Sequence, residues 1–229
     1  MNSFGEIVEP GTRTAWEDWD ENIPGSSKNV QLKWQKAVEV PDKIHKFFIL
    51  EGRQIADTIN SLTKYKLELV NVIQNVNVKL YRADNSDVYI CVVRDYDLLL
   101  ASEIIELLTS YILASQNVMA IMTKPLVEYQ TTENTGQEYV LRRLSTCMPL
   151  PKSLTCNIPK LEQPNIISGI TAGVLNMRQT LNQPGEAFIC YMEHNEEYQI
   201  NELQDLLNQL NFGPVQSQPS STLNSNLYI

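Results

Sequence analysis

Short, almost wholly apolar runs separated by stretches of helical periodicity constrain this chain most. Ile44-His45-Lys46-Phe47-Phe48-Ile49-Leu50 is such a run, and Glu51-Gly52 reads as the turn that ends it. Continuous apolar character over this length marks a buried strand. Leu67–Ile73 and Val76–Arg82 alternate like strands, and Val88–Arg94, Asn117–Thr123 and Glu186–Tyr191 are further strands. Between them a short helix is predicted over Gln54–Leu62. Asp97 is placed to cap a long helix whose apolar positions run Leu98, Leu99, Ala101, Ile104, Ile105, Leu108, Tyr111 and Ile112. Its polar stripe is narrow, so most of its circumference is expected to be covered. Strands alternating with helices give an α/β fold, a layered α/β/α domain with a largely parallel sheet.

Three further helices are predicted. Gln137–Leu144 reads as a short basic helix after a polar loop. Asn165 is placed to cap a helix running to Leu181, with Ile166, Ile170, Val174, Met177 and Leu181 on one side. Gly169 and Gly173 in it would admit a close neighbour, at about 1 kcal/mol each against Ala. Ile200, Leu203, Leu206, Leu207 and Leu210 define a final amphipathic helix that Gly213 and Pro214 would end.

The organisation expected from this pattern is an N-terminal arm over 1–40, an α/β domain over 41–212 and a tether over 213–229. The arm is acidic and carries Trp16, Trp19 and Trp34. It reads either as a mobile segment or as one that docks on a partner through its tryptophans. The tether is rich in Pro, Gln, Ser and Asn, a composition that does not fold by itself.

Composition removes several function classes. A net charge of −9 argues against nucleic acid and against anionic membrane surfaces, both of which require a basic face. The first residues lack a basic region followed by an apolar run, Asn2 is not the glycine that myristoylation needs, and no stretch approaches the length of a bilayer span. There is no Asn-x-Ser/Thr acceptor site. The expectation is a soluble intracellular protein of the cytoplasm, with the nucleus as a second compartment. Cys91 and Cys190 sit in strands as small buried hydrophobes, and Cys147 and Cys156 lie nine apart in a Pro-rich loop. No pair has C-x-x-C spacing and only His45 and His194 are present, so neither a metal nor a disulfide is expected.

Enzyme signatures are missing as well. No G-x-G-x-x-G, phosphate loop or G-x-S-x-G elbow occurs. His45 lies mid-strand, and nothing in sequence orients a Cys190–His194 pair. Glu196 and Glu197 read as solvated charges in the first turn of a helix. No catalytic residue, cofactor or metal ligand is therefore assigned, and the chain is not expected to be an enzyme.

The last three residues carry the clearest functional signal. Leu227-Tyr228-Ile229 is a hydrophobic–tyrosine–any-residue ending on a polar tether. A terminal carboxylate beside an apolar anchor suits capture by backbone amides or a basic side chain. Leu227 and Ile229 also fit a PDZ groove, which would make the chain an adaptor; that groove has little use for Tyr228, which separates the two readings.

Three segments together resemble a known family. They are Phe4-Gly5-Glu6-Ile7-Val8, the run Leu161-Glu162-Gln163-Pro164-Asn165-Ile166 with Ala172, Val174 and Leu175 after it, and the ending Ser225-Asn226-Leu227-Tyr228-Ile229. In this order they resemble the proteasome assembly chaperone 1 family, the larger half of a heterodimeric chaperone for the proteasome core particle. The likeness spreads over nearly the whole chain and is strongest at 161–175 and the tail. It implies a non-enzymatic protein that pairs with proteasome assembly chaperone 2 and sits on the outer face of the ring of proteasome α subunits. It further implies that Leu227, Tyr228 and Ile229 enter a pocket between α subunits. Correct ring assembly would be promoted, and ring dimers and premature activator binding would be blocked. The Leu161–Ile166 run reads as structural, with Pro164 positioning Asn165 to cap the following helix.

Overall fold

The structure, a computed structural model, describes residues 31–61, 66–83, 86–131, 138–148, 158–193, 197–210 and 212. The chain divides into two units, Met1–Gln31 and Leu32–Ile229. Trp16, Trp19 and the residues from 213 onward lie outside the described residues.

The first strand, β1 (Ile44–Glu51), is buried at every position except His45. Alternate side chains on a strand point to opposite faces, so such a strand needs cover on both sides. Phe47 and Ile49 enter one apolar cluster and Phe48 and Leu50 the other. The remaining strands are β2 (Leu67–Ile73), β3 (Val78–Ala83), β4 (Val88–Val93), β5 (Ser115–Lys124), β6 (Tyr139–Ser145) and β7 (Gly185–Met192). They form one seven-stranded sheet in the order β2-β3-β4-β1-β5-β7-β6. The four central strands β4, β1, β5 and β7 are parallel, and β3 with β2 on one side and β6 on the other run antiparallel. The mixed α/β class follows, with a parallel centre and antiparallel margins.

Helices cover both faces. On one, α2 (Ala101–Ala114) and α3 (Gly169–Thr180) contribute Ile104, Leu108, Ile112, Ile170 and Val174. On the other, α1 (Arg53–Ser61) and α4 (Glu197–Gln209) contribute Ile55, Ile59, Leu203, Leu206 and Leu207. Each fully buried aliphatic side chain contributes roughly 1.5–3 kcal/mol. Asp97 caps as expected, its carboxylate accepting from the Leu99 amide at 3.0 Å, and the cap opens a short 3-10 turn, Leu98–Leu100, that runs into α2.

Several expectations are corrected. Residues 139–145 are an edge strand, not a helix. Tyr139 and Leu141 pack toward α1 and α4 while Val140 and Leu144 pack toward α2 and α3, a period of two. Pairing with β7 overrides the helix preference of Leu and Arg, and Arg142 and Arg143 suit an edge. Trp34 belongs to the domain. It bridges to Ile73, donates from Nε1 to the Leu107 carbonyl (3.2 Å) and meets the Tyr111 ring edge-on. Asn71 grips Lys36 through both its amide and its carbonyl (3.0 and 2.7 Å), so order begins upstream of Ile44 along the free side of β2.

The helix before β7 starts at Gly169 after Ser168, three residues later than expected, and Asn165 does not cap it. Gly169 has φ +77, and a side chain there would collide with Tyr96 and Glu51, so it serves a turn and not helix packing. Gly173 does admit a neighbour, the Ile105 side chain of α2.

Arg178 on α3 is 1% exposed. It donates to the carbonyls of Ile112 (3.0 Å), Ser115 (2.9 Å), Gln116 (2.8 Å) and Pro184 (3.0 Å) and to Gln183 Oε1 (2.7 Å). Burial lowers its pKa to about 10, so it remains charged at neutral pH. The guanidinium thus closes the carboxyl end of α2, where carbonyls lack partners and the dipole favours a cation. Replacing Arg178 with Met strands several buried acceptors. It should cost about 3 kcal/mol or more in urea unfolding, since each orphaned group costs about 1–3 kcal/mol.

Candidate functional site

The residues that the sequence singled out for binding, Leu227, Tyr228 and Ile229, lie outside the described residues. Within the described fold, the connections leaving β1 and β4 open a crevice at the carboxyl ends of the parallel strands. The chain from β1 returns through β2 and β3 to β4 on one side, and α2 then carries it across β1 to β5 on the other. Such a reversal is where open α/β sheets place their crevices. This one has about 300 Å³ and is lined by Glu51, Gly52, Asp95, Tyr96, Thr123 and Lys124, among others.

Glu51 organises it. The side chain is 5% exposed at the end of β1. Oε2 accepts from the Thr171 amide at 2.7 Å, and Oε1 accepts from the Ile170 amide at 3.3 Å and from the Tyr96 hydroxyl. The Ile170 amide also donates to the Tyr96 oxygen at 3.1 Å. The carboxylate therefore closes the amino end of α3, whose first amides have no partner within the helix and whose dipole favours an anion. Burial and then the neighbouring Glu51 charge push the Tyr96 phenol well above its ordinary pKa, so it stays a donor at neutral pH. Gly52 has φ +115 and lies directly against Thr123, where no side chain fits.

The cations at the mouth are already paired: Arg53 with Asp95 (3.2 Å), Arg94 with Asp57 (2.9 Å) and Lys124 with Glu128 (2.7 Å). The crevice is thus balanced in charge and does not form an anion pocket. Among the described residues no group of His, Cys, Asp and Glu could hold a metal ion. Cys91 and Cys190 are wholly buried, and burial raises the Cys190 thiol to about 12. His45 is exposed, with Nδ1 3.1 Å from Gln116 Oε1, and His194 lies outside the described residues. Glu51 and Tyr96 here hold elements together, while the buried Thr123 hydroxyl has no hydrogen-bond partner among the described residues.

The Leu161–Ile166 run packs beside this crevice. Leu161 donates to the Arg143 carbonyl (2.8 Å), extending the sheet edge. Glu162 accepts from Arg142 Nε (2.9 Å) and from the Tyr129 hydroxyl, and the Arg142 guanidinium lies over the Tyr129 ring at 5.0 Å. Asn165 exchanges two 2.8 Å bonds with the backbone of Gln130. The run is therefore a clamp between the loop after β5 and the edge strand, a structural role reached by contacts other than the cap expected for Asn165.

Around the crevice runs an apolar rim. Leu98 and Leu99 lie in the turn before α2, Val127 in the short 3-10 turn Leu126–Glu128 after β5, and Ile166 in the segment before α3. All four are exposed, where the sequence placed Leu98, Leu99 and Ile166 on covered helix faces. Sequence periodicity missed them because it assigned them to helices that begin two or three residues later. Glu51 gave no signal beyond being a single acid at the end of an apolar strand.

No family model matches the chain, and no curated protein matches it. Solved structures do. PbaA of Pyrococcus furiosus, described as an archaeal homolog of proteasome-assembly chaperone, aligns with a TM-score of 0.55 at 10% identity over 82% of this chain and 89% of its own. The two share a fold. A Thermoplasma acidophilum protein of unknown function aligns with a TM-score of 0.55 at 11% identity, covering 77% of this chain and 80% of that one. A Corynebacterium glutamicum protein of unknown function aligns at 0.54 and 7% identity over 80% and 82%. The fold neighbours of this chain thus include a homolog of the proteasome-assembly chaperones.

Two outcomes test the site's construction. Glu51→Gln removes the charge from the α3 terminus and should cost about 1–2 kcal/mol in chemical unfolding. Tyr96→Phe should cost about 1 kcal/mol, the size of one hydrogen bond. The second outcome concerns pH. Burial raises the Glu162 carboxyl, but the bonds from Arg142 and Tyr129 outweigh it and hold the group below its ordinary value. A carboxyl depressed on folding contributes stability above its unfolded pKa and loses it as pH falls through the folded value. Hydrogen-exchange protection of the Gln130 and Leu161 amides should therefore fall below the ordinary carboxylate range, and Glu162→Gln should flatten that dependence.

Proposed function

We propose that this chain is a non-enzymatic chaperone for assembly of the proteasome core particle, working as the larger half of a heterodimer with proteasome assembly chaperone 2 in the cytoplasm and nucleus. The observation that carries the reading is the fold shared with PbaA over 82% of the chain. The Leu161–Ile166 run and the ending Leu227-Tyr228-Ile229 support it independently, because they resemble the same family in sequence. A crevice whose Glu51 carboxylate holds the start of α3 and whose cations are paired with acids supports a binding protein over a catalyst.

In this reading the tail enters a pocket between two α subunits. Ile229 supplies the carboxylate to a basic side chain, Tyr228 supplies a ring and a hydroxyl, and Leu227 fills the apolar part. Burial of Leu227 contributes roughly 1.5–3 kcal/mol and a charge-assisted bond roughly 1.5–3 kcal/mol. Ordering the tether and losing rigid-body freedom consume much of that. A single tail therefore binds weakly, and affinity rises when the domain and a second tail on the partner engage together. Seventeen residues, Gly213 to Ile229, reach roughly 20–25 Å as a flexible linker, enough to place a tail below a docked domain.

Deleting Leu227-Tyr228-Ile229, or making Tyr228→Ala, should abolish capture of proteasome α subunits in immunoprecipitation while leaving the second chaperone bound. If Tyr228→Ala leaves the tail's partner bound and only Leu227 and Ile229 matter, the tail is a PDZ ligand and the proteasome reading fails.

A further inference from the structure

The apolar rim has no cover among the described residues. Leu99, Val127 and Ile166 are 84%, 82% and 79% exposed. They are linked to one another through neighbouring residues. A side chain on Gly169 would touch Leu98, and Gly169 is three residues from Ile166. The Ile166 carbonyl lies 3.4 Å from Lys124 Nζ, and Lys124 pairs with Glu128 beside Val127. Clustered exposed aliphatics of this kind mark a surface that another protein covers.

The charges around the rim say what kind of protein. The crevice inside it is balanced, three acids (Glu51, Asp95, Glu128) against three cations (Arg53, Arg94, Lys124), while Asp97 next to Leu98 and Glu103 in the first turn of α2 add two negative charges. A second copy would set acids against acids on a chain of net charge −9. The position says which partner it is not. Lys46, near the amino end of β1, donates to the Leu210 carbonyl at 3.1 Å, and the Phe212 ring packs at a tilt against that of Phe48, centroids 5.0 Å apart. The chain therefore leaves α4 at the amino ends of the parallel strands, in the α1/α4 layer. The rim lies at the carboxyl ends, in the α2/α3 layer. Lys46 and Glu51 alone are separated by about 16 Å of strand.

We propose that the rim of Leu98, Leu99, Val127 and Ile166 is the docking face for a second, non-identical subunit that presents an apolar ridge bordered by lysine and arginine. The described chain ends at the opposite end of the sheet. On the proposed function, on which this rests, the rim takes the second chaperone and the tail end faces the α ring. The two partners then bind at once without competing.

The test uses the full-length chain, purified second chaperone and purified α subunits. Leu99→Asp/Ile166→Asp and, separately, Val127→Asp alter only exposed side chains, and thermal melting checks that each variant folds. Either variant should weaken binding of the second chaperone by roughly thirtyfold, the effect of losing a central interface anchor. Each should leave capture of α subunits intact. Deletion of Leu227-Tyr228-Ile229 should do the reverse. Binding of the second chaperone should also weaken as salt rises. Wild-type affinity in both rim variants overturns the proposal, as does loss of α subunits with the second chaperone retained. So does a homodimer in sedimentation that the rim variants dissolve, which would make the occupant a second copy. Binding that appears only after removal of residues 1–31 would make that segment the occupant and overturn it as well. If the wild-type chain captures neither protein, the proteasome reading falls and this inference with it. If the wild-type chain and the rim variants capture both, only this inference falls.

Discussion

Two buried charges of opposite sign fix one helical layer to the sheet. Glu51, at the end of β1, accepts from the first amides of α3, and Arg178, near the other end of α3, donates to carbonyls at the end of α2. Each sits where a helix dipole favours its sign, and each is saturated by hydrogen bonds. An apolar interface alone leaves helices free to slide, because dispersion and burial are non-directional. The two charges remove that freedom. They set where α3 starts, where α2 stops, and so where the turns carrying Leu98, Leu99 and Ile166 emerge.

How legible this was in the sequence depends on the type of signal. Strands apolar at successive positions, such as Phe47 to Leu50, have one interpretation in a chain with intervening helical periodicity, and the layered α/β class followed from them. Asp97 was readable because a capping side chain acts on residues next to it. Tyr139–Ser145 was not, because Tyr, Val, Leu and Arg over seven residues fit a helix as well as an edge strand, and only the β7 ladder decides. Asn165, Trp34, Glu51 and Arg178 share a different difficulty. Each has partners 35 to 120 residues away. A lone acid after an apolar strand and a basic residue in the last turn of a helix look like surface residues until the topology brings their partners to them. The tail is the reverse case, a feature read entirely from its residues.

The likeness to PbaA at 10% identity shows how little of such a fold is written in particular side chains. What two chains this different must share is strand order, crossover direction and two apolar faces, and many sequences meet those demands. A family model built on residue identities has little to hold at that distance, while the backbone path still superimposes. Function has to come from what each chain adds at the margins of such a fold.

The strip from Leu32 to Lys36 has a consequence for association. It lies along β2, with Trp34 bridging to Ile73, Gln35 donating to the Val72 carbonyl and Lys36 held by Asn71. An outer strand with unmet amides and carbonyls is a template on which a second sheet can grow. This strip occupies that template with the chain's own backbone and closes it with an indole. A domain that already exposes one apolar rim is thereby spared a second adhesive border along Asn71–Ile73.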